Sequence, residues 1–345
     1  MSKNILVLVS ILALIAGCQT NHPPRLRHGS SFGGIIGDYF LDPENLGKHQ
    51  YKNGYTEKIG FVYTCKGGFI DIGHLHESAD RTAYISRITF ENLIGGENEF
   101  SFQVIEPTWY FVKIEYPKEW EELSEQEEIA AEISIKLGQY FAYMTTIWHE
   151  IITWFGFKST GIFSEYVSSF SWEDTYSDLL GINLAAIALR DTQHKYDDAM
   201  TMLIDKELEK LSAQPPKLAR LANKKIYGKF YTGGLYFFTT IKKRNFDTGL
   251  DDGFITPWLV PDICPDSEPK LYPVPNLNFL YRYGFSIRFE IEPRIAEKDK
   301  ILSIIYPNER GKCIQPAVHF PIIIEYIKKE AVEKFGPQVD VADLS

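Results

Sequence analysis

Gln139-Tyr140-Phe141-Ala142-Tyr143-Met144-Thr145-Thr146-Ile147-Trp148-His149-Glu150-Ile151-Ile152-Thr153-Trp154-Phe155-Gly156-Phe157 decides how this chain folds. Apolar residues occupy nearly every helical face of the run, a pattern that suits a helix surrounded by protein. Upstream, Ser124-Glu125-Gln126-Glu127 has the spacing of a capping box, the serine accepting first-turn amides and the glutamate reaching back. Together they predict one long helix from Ser124 to about Phe157, central and buried.

Working outward, Phe61 to Ile72 reads as a strand interrupted by Gly67-Gly68, Asp71 to Asp80 as a polar turn, and Ser78 to Leu93 as a helix. Glu99–Ile105 and Thr108–Tyr116 alternate in polarity and predict a hairpin around Glu106-Pro107. Ser171-Trp172-Glu173-Asp174 predicts a helix start, its acids favoured by the helix dipole, with the helix running to about Arg190. Met200, Leu203, Ile204, Leu208 and Leu211 share one face of a helix over Asp197–Leu211 that Pro215-Pro216 ends. Phe285, Ile287, Phe289 and Ile291 alternate with polar residues as a half-buried strand, and Pro321 to Phe335 predicts a helix stopped by Gly336. The expected fold is α+β: a helix-dominated single domain over 35–345, with a buried central helix and a small antiparallel sheet.

Composition agrees with a folded core: 44% of the 345 residues are hydrophobic, 24% charged and 14% aromatic. The net charge of −10, with no dense basic patch, argues against nucleic acid as a partner.

Residues 1–17 read as an export signal. Lys3 is followed by an uncharged, mostly apolar run, Ile5 to Gly17, too short to cross a bilayer. The run closes Leu14-Ile15-Ala16-Gly17-Cys18, which resembles the lipobox of bacterial lipoproteins, where the cysteine is lipidated and becomes the mature N-terminus. Gln19, in place of aspartate, points to the outer membrane by resemblance to the sorting rule of enteric-type bacteria. The expectation is a periplasm-facing protein held to the membrane by lipid on Cys18, with 18–34 as a flexible tether rich in Pro, Ser and Gly. An envelope component or polysaccharide is the expected partner class. In that oxidising compartment Cys264 and Cys313, both in loop-like sequence, are the expected disulfide. Cys65 is left as a buried thiol, or as a nucleophile with His74 or His76 as base.

Trp148-His149-Glu150-Ile151-Ile152-Thr153 follows the zinc-protease pattern H-E-x-x-H until Thr153 takes the place of the second histidine. A two-histidine helix site is therefore absent. What remains is a His-Glu pair in an apolar helix, and such groups need partners when buried. Candidates lie in Asp71-Ile72-Gly73-His74-Leu75-His76-Glu77-Ser78-Ala79-Asp80 and in Glu173, Asp174 and Asp178. His74, His149 and Asp174 form the expected metal-ligand set, with zinc the candidate ion. Glu150 is the expected catalytic base, and His74 and His149 are ligands or acid–base groups. Three functions follow: a metal-dependent hydrolase of envelope material, a non-catalytic envelope-binding or structural lipoprotein in which His149 and Glu150 only join helices, and a cysteine hydrolase using Cys65 with His74.

Several segments share a further resemblance. They are Tyr63-Thr64-Cys65-Lys66-Gly67-Gly68-Phe69-Ile70-Asp71-Ile72-Gly73-His74, Trp148–Trp154, Ser171-Trp172-Glu173-Asp174-Thr175-Tyr176-Ser177, Lys243–Asp247 and Pro257-Trp258-Leu259-Val260-Pro261. Together they resemble an uncharacterised family of Gram-negative lipoproteins, domain of unknown function 4056. The resemblance implies one domain over nearly the whole mature chain and carries no activity. It also implies arginine at position 76, where this chain has His76, which places His74 ahead of His76 as a site residue.

Overall fold

The structure, a computed structural model, describes residues 22–27, 30, 32, 40–104, 106–158, 165–233, 239–308 and 310–341. The expected signal segment 1–17 and Cys18 lie outside the described residues. No helix among those described is long and apolar enough to cross a membrane.

Strands β1 (Phe61–Thr64) and β2 (Gly68–Asp71) form an antiparallel hairpin, with Phe61 opposite Asp71 and Thr64 opposite Gly68. Gly68 makes the turn at φ +67, where a Cβ would lie 2.3 Å from the Trp258 carbonyl oxygen. That position admits no side chain. Asp71 ends β2 and caps α1 (Ile72–Gly95), its carboxylate accepting from the amides of Gly73 at 2.7 Å and His74 at 3.3 Å. The polar run expected as a turn is therefore the first two turns of a helix. Its polar residues face a polar site rather than solvent, so apolar periodicity was a poor guide there.

The hairpin of β3 (Glu99–Phe102) and β4 (Thr108–Glu115) forms as expected. The central helix α2 spans Gln126–Trp154 and is buried along most of its length. The Ser124 box does not cap it: Glu125 is the N-cap residue and makes no side-chain bond. The first helical amide bond runs from Ile129 to Glu125 O at 3.0 Å, which leaves Ser124 one residue outside the capping position.

Helix α3 (Asp174–Ala188) packs against both α1 and α2, so the three helices are in mutual contact. The approaches of α2 and α3 to α1 depend on glycine. A Cβ on Gly138 of α2 would meet Ser86 Oγ at 1.9 Å, and one on Gly181 of α3 would meet the Leu75 carbonyl oxygen at 2.0 Å. Helix α4 (Tyr196–Lys210) packs on α3. Pro216 starts a helix as well as ending the stretch before it, since α5 is Pro216–Ile226 with proline in the first turn. Two short ladders follow: β5 (Tyr231–Thr232) with β6 (Thr240–Ile241), and β7 (Phe254–Ile255) with β8 (Tyr272–Pro273). Strand β9 (Ser286–Pro293) then completes an antiparallel sheet of order β3-β4-β9, pairing Phe289 with Val112. Its inner face packs on α2 through Phe102, Tyr110, Phe141 and Phe289. Helices α6 (Lys298–Ile305) and α7 (Pro316–Phe335) close the chain. The fold is α+β, dominated by helix, in one compact domain.

Parts of the N-terminal stretch pack on the domain. Arg27 is buried, and Phe32 stacks on Phe61 with ring centres 4.3 Å apart.

The expected Cys264–Cys313 disulfide is corrected: Cys65 pairs with Cys264, their Cα atoms 5.5 Å apart, and Cys313 is a free, half-buried thiol. Segment 258–264 crosses the β1–β2 hairpin, with Trp258 O over Gly68 and the Val260 amide donating to Tyr63 Oη at 3.3 Å. That crossing carries Cys264 to Cys65. Cys313 instead precedes Ile314, which bridges Ile291 on the far sheet. Iodoacetamide under non-reducing conditions should label Cys313 alone among Cys65, Cys264 and Cys313, and label at Cys65 would refute the pairing. The bridge closes a loop across 199 residues, so Cys264→Ser should cost about 2–5 kcal/mol in denaturant unfolding. Gly181→Ala should cost about 1–3 kcal/mol by forcing α1 and α3 apart.

Candidate metal centre

Three side chains converge where β2 enters α1 and the start of α3 lies against it. The ligand atoms of Asp71, His74 and Asp174 all fall within 4.8 Å of one another. His74 Nδ1 is 2.9 Å from Asp174 Oδ1 and 4.0 Å from Asp71 Oδ2. The Asp174 contact is off the hydrogen-bond line, so this buried nitrogen is paired ionically but makes no aligned hydrogen bond. The rest of the His74 side chain is partly exposed, whereas Asp71 and Asp174 are buried. Their positions are fixed locally. Asp71 is held by its capping bonds, by the Ser30 amide at 2.6 Å, and through its own amide donating to Ser177 Oγ at 2.9 Å. Asp174 opens α3, where the helix dipole favours a carboxylate.

Further buried acids surround the trio. Asp178, one turn along α3, accepts from Ser78 Oγ of α1. Glu173 accepts from Ser171 Oγ at 2.7 Å. Glu150 of α2 accepts from the Phe170 amide, and the Phe170 carbonyl takes the Asn245 amide at 2.8 Å. Phe170 sits at φ +54, a conformation that a bulky residue adopts only when its surroundings impose it. Glu150 thus pins the loop that delivers Glu173 and Asp174.

Burial drives these acids toward their protonated forms. It lifts Asp71 to about 6 against the opposing pull of His74, with Asp174 adding to the rise. It lifts Asp178 to about 6. Burial and then Asp174 lift Glu150 to about 8 and carry Glu173 upward as well. For His74 burial acts against the charge, but Asp174 and Asp71 outweigh it and hold the imidazolium well above its ordinary range. One imidazole therefore faces five buried carboxyl groups. Such groups could hold a metal ion, with one nitrogen and two carboxylate oxygens as the ligand set.

His149, expected as a ligand, is not in this set. Its Nδ1 lies 2.8 Å from Glu106 Oε1 in the β3–β4 turn, and Asp71 takes the third place. Adjacent residues on a helix diverge by about 100°, which sends Glu150 toward α3 and His149 toward the hairpin. Although burial opposes its charge, Arg81 and His149 hold Glu106 down at about 2. Arg81 itself binds Glu77 at 2.7 Å and Thr145 at 3.2 Å, while Arg87 pairs with Glu91 and Arg190 with Glu132. Sequence reasoning missed Glu106 because nothing local marks a partner 43 residues away. It named Asp71 among the candidate partners but did not place it in the ligand set, because the residue passed for part of a turn, although a strand followed by an Asx cap is a usable signal.

His49, Glu57 and His76 form a second group whose ligand atoms lie within 4.8 Å. Its chemistry differs. Glu57 Oε1 already accepts from the Gln50 amide at 2.7 Å and from Arg27 at 3.0 Å, and Oε2 accepts from Arg25 and Arg27. The carboxylate's acceptor sites are filled. His49 Nε2 lies 2.9 Å from Asp80, and its Nδ1 lies 2.7 Å from His76 Nδ1, so the histidines satisfy each other. This group anchors the N-terminal stretch to α1.

Residues 37–247 match the family described as protein of unknown function (DUF4056). The chain belongs to the DUF4056 family. The match stops short of the whole mature chain that the resemblance implied, yet it contains Asp71, His74, Glu106, His149, Glu150, Glu173, Asp174 and Asp178. It excludes Cys264 and β9. No curated protein and no solved structure matches the chain.

The shifts set a pH dependence for the metal-free DUF4056 protein. Glu150, Glu173 and His74 all hold protons in the fold that they release when unfolded, so stability falls as pH rises. Between pH 6.5, the unfolded histidine value, and about 8, the Glu150 value, all three act in the same direction. Thermal midpoints in chelator should fall across that window, and Glu150→Gln should flatten the slope. A midpoint that rises with pH there would contradict the assignment.

Proposed function

We propose that this protein is a lipid-anchored, periplasm-facing protein of the outer membrane that hydrolyses cell-envelope material with a divalent metal, zinc first, held by Asp71, His74 and Asp174. The observation that carries this is the convergence of those three ligand atoms within 4.8 Å beside further buried acids and a partly exposed imidazole. Two carboxylates and one imidazole suit zinc and leave a coordination position open. A metal bound there supplies Lewis-acid polarisation and a water of lowered pKa. This reading assigns the proton to Glu150: burial and then Asp174 raise it to about 8 without metal, a cation beside Asp174 would lower it, and the ionised carboxylate would accept a proton. Asp71 and Asp178 would supply negative potential to hold the cation, and Glu106 orients His149 at the margin.

The non-catalytic reading has its own support, because Glu150 holds Phe170 and His149 holds Glu106 as structural partners do. The cysteine-hydrolase reading has lost its nucleophile to the Cys65–Cys264 bridge.

Elemental analysis of the purified full chain, dialysed against zinc, separates the two remaining readings. The expected result is one bound ion, absent from His74→Ala and Asp174→Asn but retained by His149→Ala. Glu150→Gln should keep the ion and lose roughly 10²–10⁴-fold in hydrolysis of peptidoglycan fragments. A folded chain that binds no metal would remove the hydrolase reading.

A further inference from the structure

We infer that loop 47–58, with Leu26 beside it, rests on the anionic headgroup surface of the bilayer that holds the acylated Cys18. The inference rests on the lipoprotein reading above. Only residues 19–21 separate Cys18 from His22, a reach of roughly 14 Å at full extension. His22 is already docked: its carbonyl accepts from Tyr51 Oη at 2.7 Å. The next turns of chain are sewn to the same loop. Arg25 Nε donates to Gln50 O at 3.3 Å and Arg27 to the same oxygen at 3.1 Å, and both arginines pair with Glu57. The surface that carries loop 47–58 is therefore the one an anchor at Cys18 holds closest to lipid.

The loop's composition fits that neighbour. Glu57 is its only acid, and its side chain is 1% exposed beneath the two arginines. Lys48, Lys52 and Lys58 are all exposed, so the loop's outward charge is basic on a chain of net charge −10. The partly exposed Asp197 meets the loop at the Tyr51 amide, and the exposed Asp42 and Glu44 precede the loop in the chain. Tyr55 is 93% exposed and Leu26 is 63% exposed. Lysines drawn to anionic headgroups, with a tyrosine and a leucine entering the interface, are what a bilayer surface selects. A protein partner would lack the short covalent tie that places this surface at the membrane. The domain would then sit with α1 and α4, which flank the loop through His76, Asp80 and Asp197, on its membrane side.

The test uses the full lipidated chain in a Cys313→Ser background, reconstituted in phosphatidylethanolamine vesicles with and without phosphatidylglycerol. A bimane probe on Tyr55→Cys is compared with one on Tyr281→Cys, an exposed position on the 278–283 turn beside Pro117. Headgroup nitroxide lipids should quench the Tyr55 probe several-fold more than the Tyr281 probe. The difference should shrink without phosphatidylglycerol, in high salt, and in Lys48→Glu/Lys58→Glu. Equal quenching at the two positions in a chain that floats with the vesicles overturns this inference alone. Quenching that ignores phosphatidylglycerol overturns the anionic-headgroup assignment. A chain that does not float overturns the anchor and the inference together.

Discussion

The carboxylate of Asp71 is the constraint on which the rest of this structure depends. It terminates β2, satisfies two first-turn amides of α1, accepts the Ser30 amide and faces His74. The direction of α1 follows from that cap, and α2 and α3 then close on α1 through Gly138 and Gly181. Helices this close leave room for short polar side chains between them, which is why Ser78 can reach Asp178 and Ser177 can reach the Asp71 backbone. The same cap that organises three helices also brings a carboxylate and an imidazole to one point.

Burying so many acids at that point opposes folding. Each carboxyl removed from water must keep its proton or find positive charge. His74 supplies one positive charge, and its environment keeps it charged. The remaining acids are left to hold protons whose release is favoured as pH rises. A divalent cation relieves the same repulsion without protons, and an ion that binds only the folded state stabilises that state by mass action. Any affinity for a cation and the pH dependence of the metal-free fold would thus be two expressions of one electrostatic imbalance.

Helix-dominated architecture, the buried α2, the β3–β4 hairpin and the β9 strand were legible because apolar periodicity records which face is covered. That His74 and Asp174 come together was legible because charged groups stood at a predicted helix start and in a polar cluster next to apolar segments. Three features were not. The start of α1 was hidden because its first turns face the polar site, so the periodicity there carries no apolar signal. Asp71 in place of His149 could not be read because ligand choice depends on how α2 rotates between the hairpin and α3. The Cys65–Cys264 pairing depends on segment 258–264 crossing the β1–β2 turn, a contact with no local signature beyond Gly68. The ligand-group and disulfide failures concern partners distant in sequence, whereas the successes rest on local patterns.

The two histidine-bearing clusters show why residue type alone does not identify a metal centre. Around His49 and His76, Glu57 and Asp80 are matched by Arg25 and Arg27, and every Glu57 oxygen already accepts hydrogen bonds. That group is balanced from within, so an added dication would have to displace arginines from a buried carboxylate, where breaking an existing pair is costly. Around His74 no arginine or lysine ion-pairs with Asp71, Asp174, Asp178, Glu150 or Glu173 among the described residues. The surplus there is negative, the imidazole nitrogen lacks an aligned partner, and part of the histidine reaches solvent. The first arrangement uses its ionisable groups to fasten the N-terminal stretch to the domain. The second has no such internal balance, and that asymmetry makes it, of the two groups, the better candidate to hold a metal ion.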